Sequence, residues 1–152
     1  MPGLTAEQAL TIILNARKRA SEIACPPVAI AVVDDGGNVL ALARDERAGF
    51  ARADIALNKA WGCFALALPS RTLRDQVKGW ESWFAGIQGA TSGRLMPVLG
   101  GVFARAQDGR AVGAVGVAGA PGEVDEALAM HGIRSIGLIA DAGEPERKPP
   151  IG

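Results

Sequence analysis

Apolar positions change period along this chain, and each change marks an element. Ala9, Ile12, Ile13, Ala16, Ala20 and Ile23 recur at helical spacing behind Thr5-Ala6-Glu7-Gln8, a capping box in which Gln8 can return a hydrogen bond to the Thr5 backbone. Pro26-Pro27 forbids continuation of that first helix. Val28–Val33 and Val39–Ala43 then flank Asp34-Asp35-Gly36-Gly37-Asn38, so a hairpin follows. From about Ala53 to Leu68 an Ala/Leu-rich stretch sets Ile55, Ala56, Lys59, Ala60 and Cys63 on one helical arc and stops at Pro69. Thr72-Leu73-Arg74-Asp75 can cap a short third helix running towards Trp80, and Gly86–Gly93 reads as a Gly/Ser/Thr loop.

The second half repeats the strand signals. Val98–Ala106 and Ala111–Ala118 flank Gln107-Asp108-Gly109-Arg110, the strongest local hairpin signal in the chain. Pro121 suits the first turn of a last helix, Glu123, Asp125 and Glu126 complement its dipole, and Gly132 suits its C-terminal cap. Ser135–Ala140 can form one more short strand. The order of helix, hairpin, helices, hairpin, helix predicts an α+β fold with helices packed on an antiparallel sheet, not alternating βαβ units. Residues 1–140 are expected to form one domain and 141–152, with three prolines and alternating charge, a flexible tail or arm.

Composition narrows the partners. A chain of 152 residues that is 49% apolar can close one proper core, and its 16 basic and 16 acidic residues leave no net field to favour nucleic acid or an anionic membrane. No apolar run approaches the roughly 18 residues of a membrane helix, and MPGLTAEQAL lacks the parts of a signal peptide. Two cysteines, Cys25 and Cys63, make neither a disulfide framework nor a zinc knuckle, so a cytoplasmic setting is expected. The single histidine, His131, excludes a His-based metal cluster, and no GxSxG elbow supports a serine hydrolase. Gly113, Gly116 and Gly119 are spaced GxxGxxG before an acidic helix start, which excludes dinucleotide and P-loop sites. No nucleotide cofactor and no metal site are expected.

Three segments carry a family likeness: AIAVVDDGGNVLALARDE at Ala29–Glu46, the Asn58-Lys59-Ala60 step, and LMPVLGGVFARAQDGRAVGAVGVAGAPGEVDEALA at Leu95–Ala129. Together they resemble the GlcG/HbpS-like, haem-degradation-type family, related to the C-terminal domain of PduO-type proteins. The resemblance spans roughly Leu4 to Gly132. It implies a profilin-like sheet, a homo-oligomer and, as in some members, tetrapyrrole binding. Phe103 stands where the family usually has Pro.

Lys59, on the apolar arc of helix two, has the setting of a partly buried lysine that binds an anion, acts as a base or forms a Schiff base; the plainer alternative is a lysine snorkelling at the sheet edge. Lys59 also matches a lysine of the family's Lys-Ala step. Arg44 can clamp a carboxylate through its planar fork, whereas Asp45, Glu46 and Arg47 read as a solvated charge cluster. Gly100 and Gly101 permit close approach of a ligand to backbone amides, or a bulge, and Phe103 can form a pocket wall. Asp125 or Glu126 can meet Lys59, or can serve the helix start. Trp80, Trp83 and Phe84 form a lid, a subunit contact or a satellite core.

Three functions fit these residues. A binding module would hold a flat or carboxylate-bearing ligand, haem among them, near Lys59 and Arg44. A cofactor-independent lyase, isomerase or hydrolase would use Lys59 as base on a small oxo- or carboxylic acid, with Asp125 or Glu126 moving protons. An oligomeric accessory protein would dock through its tryptophans.

Overall fold

The computed structural model describes residues 2–143. Its centre is a five-stranded antiparallel sheet of β1 (Ala29–Asp34), β2 (Val39–Arg44), β3 (Gly101–Arg105), β4 (Ala111–Ala118) and β5 (Ile139–Asp141), in the order β2-β1-β4-β3-β5. The two hairpins predicted from their turn residues are therefore neighbours through β1 and β4. Helices α1 (Ala6–Glu22), α2 (Ala51–Ala65), α3 (Ser70–Val77), α4 (Glu81–Ala90) and α5 (Gly122–Ser135) complete the α+β architecture.

The sheet is covered on both faces, which is why β1 and β4 are apolar almost without alternation. On one face Ile12, Ile13 and Ala16 of α1 and Leu128, Ala129 and Ile133 of α5 pack on Ile30, Val32, Val102, Val115 and Val117. On the other, Ala56, Ala60 and Cys63 of α2 meet a floor of small residues, Ala29, Ala31, Ala114 and Ala118, with Val33 and Phe103 beyond. Gly101 and Gly116 are cross-strand partners in that floor. A Cβ on Gly116 would run into the Ala56 carbonyl, and one on Gly101 into the Lys59 carbonyl. Glycine here lets the α2 backbone lie directly on the sheet.

Thr5 caps α1 in the predicted capping box, with Gln8 N–H donating to Thr5 Oγ1 (3.1 Å) and Thr5 N–H to Gln8 Oε1 (3.0 Å). The helix ends in a Schellman turn: Cys25 N–H donates to Ala20 O (2.9 Å) and Ala24 N–H to Ser21 O (3.2 Å). Ala24, at φ 50°, takes the left-handed position usually given to glycine.

Several boundaries differ from the sequence expectation. Helix α2 stops at Ala65, before Pro69, because Ala67 already turns the chain at φ 57°. Helix α3 begins at Ser70, not Thr72: the buried Ser70 hydroxyl accepts from Gly101 N–H (2.8 Å), which draws the helix start onto the sheet. The expected loop at Gly86–Gly93 is largely helical, since α4 runs to Ala90 and Gln88 clasps Leu95 through its backbone N–H and C=O (both 3.0 Å). Strand β3 begins at Gly101, so Val98 lies in the preceding loop and is exposed. Gly132 does not cap α5; it sits inside the helix where Ile12 O would lie 3.0 Å from an added Cβ, and the chain turns at Gly137 (φ 80°). Asp141, expected to open the tail, ends β5 and pairs with Arg105 Nε at 2.8 Å. The rest of that expected tail, from residue 144, lies outside the described residues.

Candidate functional site

Helix α2 carries Lys59 inward over the sheet to 4% exposure, and α5 brings Asp125, 2% exposed, to meet it. Lys59 Nζ donates to Asp125 Oδ2 (3.2 Å) and to Val117 O (2.8 Å), while Asp125 Oδ1 accepts from Ala120 N–H (3.0 Å). One ion pair thus ties α2, β4 and the start of α5 together. Gly100, at φ 125°, belongs to the same cluster: an added Cβ would sit 2.9 Å from Lys59 Nζ and 2.6 Å from Val117 O. Burial pushes the Lys59 ammonium below its ordinary range, against the pull of Asp125. Burial likewise raises the Asp125 carboxyl, against the pull of Lys59. Both shifts run towards the neutral forms, so loss of water outweighs mutual attraction on each side of the pair.

The other sequence candidates separate from this pair. Glu126 turns to Arg71, which grips it with Nε–Oε2 at 3.0 Å and Nη2–Oε1 at 2.7 Å. Nothing in the sequence pattern singled out Arg71. Arg44 spends its guanidinium on the loop after β2, donating from Nη1 to Ala48 O (2.6 Å) and Asp45 O (3.1 Å). What approaches Gly101 is the α2 backbone, not a ligand. Phe103 is buried edge-on against Phe64, with ring centroids 5.3 Å apart, so it fills core instead of walling a pocket. Trp80 is 65% exposed, and none of the residues of α4 is buried.

An open cleft of about 630 Å³ lies where α1 ends and β1 begins, closed on its far side by the loop after β2. Leu14, Arg17, Lys18, Cys25, Val28 and Arg47 contribute to its walls. Arg47 is bound within its own loop, with Nε and Nη2 each 3.0 Å from the Asp45 carboxylate, which holds Asp45 down at about 2. Arg17 and Lys18 make no ion pair or side-chain hydrogen bond among the described residues, leaving two uncommitted cations at the rim. Burial, then the charge of Asp125, pushes the Cys25 thiol up, so the cleft and the buried pair are electrostatic neighbours. Sequence reasoning missed this cleft, because it depends on the turn at Ala24, where no glycine signals a left-handed residue. The adjacent basic pair on the exposed face of α1 was the one legible cue.

Among the described residues no helix is long and apolar enough to cross a membrane, and no group of three or more His, Cys, Asp and Glu side chains is placed to hold a metal ion.

Comparison with known proteins sets this geometry in a family. A protein of Citrobacter freundii, an uncharacterized 15.0 kDa protein of the dhaT-dhaS intergenic region, is 33% identical over 130 residues, covering 81% of this chain and 90% of the relative. Among solved structures, Klebsiella pneumoniae protein ORFY superposes with a TM-score of 0.80 at 30% identity, over 88% of this chain and 90% of that one. A complex of PduOC with haem gives 0.79 at 25% identity, over 90% and 96%. A double mutant of Streptomyces reticuli HbpS gives 0.75 at 29% identity, over 90% and 89%. Residues 4–134 match the family described as haem degrading protein HbpS-like, and the chain belongs to that HbpS-like family.

Proposed function

We propose that this protein binds a flat, carboxylate-bearing small molecule of the haem type. The observation that carries the reading is the cleft between α1 and the loop after β2, in a chain whose fold matches that of a haem complex. Its volume of about 630 Å³ falls within the range of roughly 300–1,000 Å³ usual for small-molecule sites. Exposed Leu14, with Pro26 and Pro27, gives the cleft its apolar wall, and Arg17 and Lys18 suit acid substituents of a ligand. Cys25 is the soft donor among the cleft residues, but burial and the charge of Asp125 hold it as a thiol, and His131 is exposed on α5 outside the cleft, so the reading rests on the cleft and its cations and not on an iron ligand. When bound, haem would supply redox and oxygen chemistry, while the chain would bind it, orient it and limit water at one face.

A reaction on Lys59 is the poorer reading. A side chain that is 4% exposed and enclosed by its bonds to Val117 O and Asp125 is out of reach of a substrate. Assembly into a homo-oligomer is part of the proposal: α4 packs on α3 but on no other helix or strand to a comparable extent, and it presents Trp80 and Trp83 outward.

Titration of the purified protein with haemin, followed by difference absorption, tests the reading. Saturation at one haem per chain is expected. A linear rise indistinguishable from haemin added to an unrelated protein would overturn it.

A further inference from the structure

We propose that α4 packs antiparallel on α4 of a second copy of this chain, about a two-fold axis near Gly86. The inference rests on the homo-oligomer reading above and names the contact that makes it.

Helix α4 lacks the support that a helix of its composition needs. It has 10 residues, and the interior glycines Gly86 and Gly89 weaken it further, so packing has to hold it in shape. Within the protomer that packing is one-sided. Phe84, Ile87 and Gln88 are half-buried, and Gln88 clasps Leu95, whereas Ser82, Ala85, Gly86, Gly89 and Ala90 share the outward side at helical spacing and are exposed. A Cβ added to Gly86 or Gly89 would meet nothing within 4 Å. The outward face is a shallow, uncharged trough, bordered by Trp83 at 37% exposure.

Such a trough admits a second helix at close range, provided that helix brings small residues to the middle and a bulky apolar side chain to lie over the glycines. Helix α4 carries both halves of that match. With an antiparallel two-fold axis at Gly86, position 83 of one copy lies opposite 89 of the other and 82 opposite 90, so each Trp83 covers the partner's Gly89 while small residues meet between them. The charges agree. Glu81, the only charged residue of α4, accepts from Gly79 N–H and makes no ion pair among the described residues. Arg94, just past the helix end, stacks on Trp61 and gives Nε to Asn58, and it too makes no ion pair among the described residues. Antiparallel packing brings the Glu81 end of each helix to the Arg94 end of the other, whereas a parallel pair would set like charges side by side.

Sedimentation equilibrium of the full chain tests the contact. Wild type is expected to assemble with an even number of chains. Gly89→Leu fills the trough where the protomer leaves open space, so it should keep the far-UV circular dichroism of the wild type and weaken self-association at least roughly tenfold. Ser82→Ala keeps the face small and should leave the mass unchanged. Glu81→Arg should weaken association several-fold, more at low salt than at high. Under mild oxidation Gly86→Cys should cross-link chain to chain through the introduced thiols, located by peptide mass spectrometry, because the axis brings the two positions together. Wild type that assembles, with its mass unmoved by Gly89→Leu or with no cross-link in Gly86→Cys, overturns this contact and leaves the homo-oligomer standing. Wild type that sediments as a single chain overturns both.

Discussion

Lys59→Met is the most informative single perturbation of the interior. It removes the ammonium from a carboxylate that is 2% exposed and leaves it only backbone N–H donors, Ala120 foremost. Stranding one member of a buried pair costs about 3–5 kcal/mol. For a chain of this size each kcal/mol moves Tm by about 2–4 °C, so a fall of roughly 6–20 °C is expected. The loss should depend on pH with a definite sign. Without Lys59 the Asp125 carboxyl loses its largest downward influence and rises further. A raised carboxyl favours the native state while protonated, below its unfolded value, and loses that advantage as pH rises through the folded value. Lys59→Met should therefore be closest to wild type in acid and fall behind towards neutrality. The double variant Lys59→Met with Asp125→Asn keeps an acceptor for Ala120 N–H and buries no charge, so it should recover most of the loss. Urea unfolding of the four proteins gives the coupling energy directly. A cost below about 1 kcal/mol for Lys59→Met, or a double variant as unstable as the sum of the singles, would refute the account of a costly, mutually dependent pair.

Other perturbations test other parts of the structure. Gly116→Ala drives a methyl into the Ala56 carbonyl and should cost about 3 kcal/mol or more, read as a lower denaturant midpoint. Ala24→Gly relieves the left-handed alanine in the α1 turn and should stabilise by about 1 kcal/mol, raising Tm by a few degrees; a lower Tm would show that the turn is not strained. Trp80→Ala with Trp83→Ala should reduce the sedimentation-derived mass of the assembly while leaving the unfolding midpoint of the protomer nearly unchanged, because α4 buries none of its residues. Asp45, held at about 2 by Arg47 against an ordinary 3.8, should keep its loop clasp as pH falls past 3.8 and release it only near 2; a carboxyl resonance titrating near 3.8 would contradict the pairing.

Local signals were readable because their causes are local. The capping box at Thr5 and Gln8, the Asp-Gly turn at Asp108-Gly109 and the arc of Ala56, Lys59, Ala60 and Cys63 each depend on residues within a few positions of one another, and each stands in the structure as expected. The glycine pair Gly100-Gly101 was legible as a place of close approach, but the partner was not. Identifying α2 as that partner requires knowing that Gly116, fifteen positions on, lies opposite Gly101 in the sheet. Helix α4 was obscured for the opposite reason: its glycines, Gly86 and Gly89, face open space, so they weaken the local signal without any packing that would explain them. The position of Phe103 depended on a contact with Phe64, from which α3 and α4 separate it in the chain, and could not be read from its neighbours.

The charged candidates show how far residue type can go. Lys59 was singled out by its place on an apolar arc, and Asp125 and Glu126 as helix-start acids that could meet it. Lys59 and Asp125 found each other, while Glu126 found Arg71 instead. Neighbouring positions on α5 therefore face two different helices, α2 and α3, and together they anchor the helix start that follows β4. Since both members of the Lys59–Asp125 pair are shifted towards neutrality, the pair is retained at some cost to stability. The same carboxylate acts on both sides: Asp125 accepts from Lys59 and, after burial, is the second influence that raises the Cys25 thiol at the cleft wall.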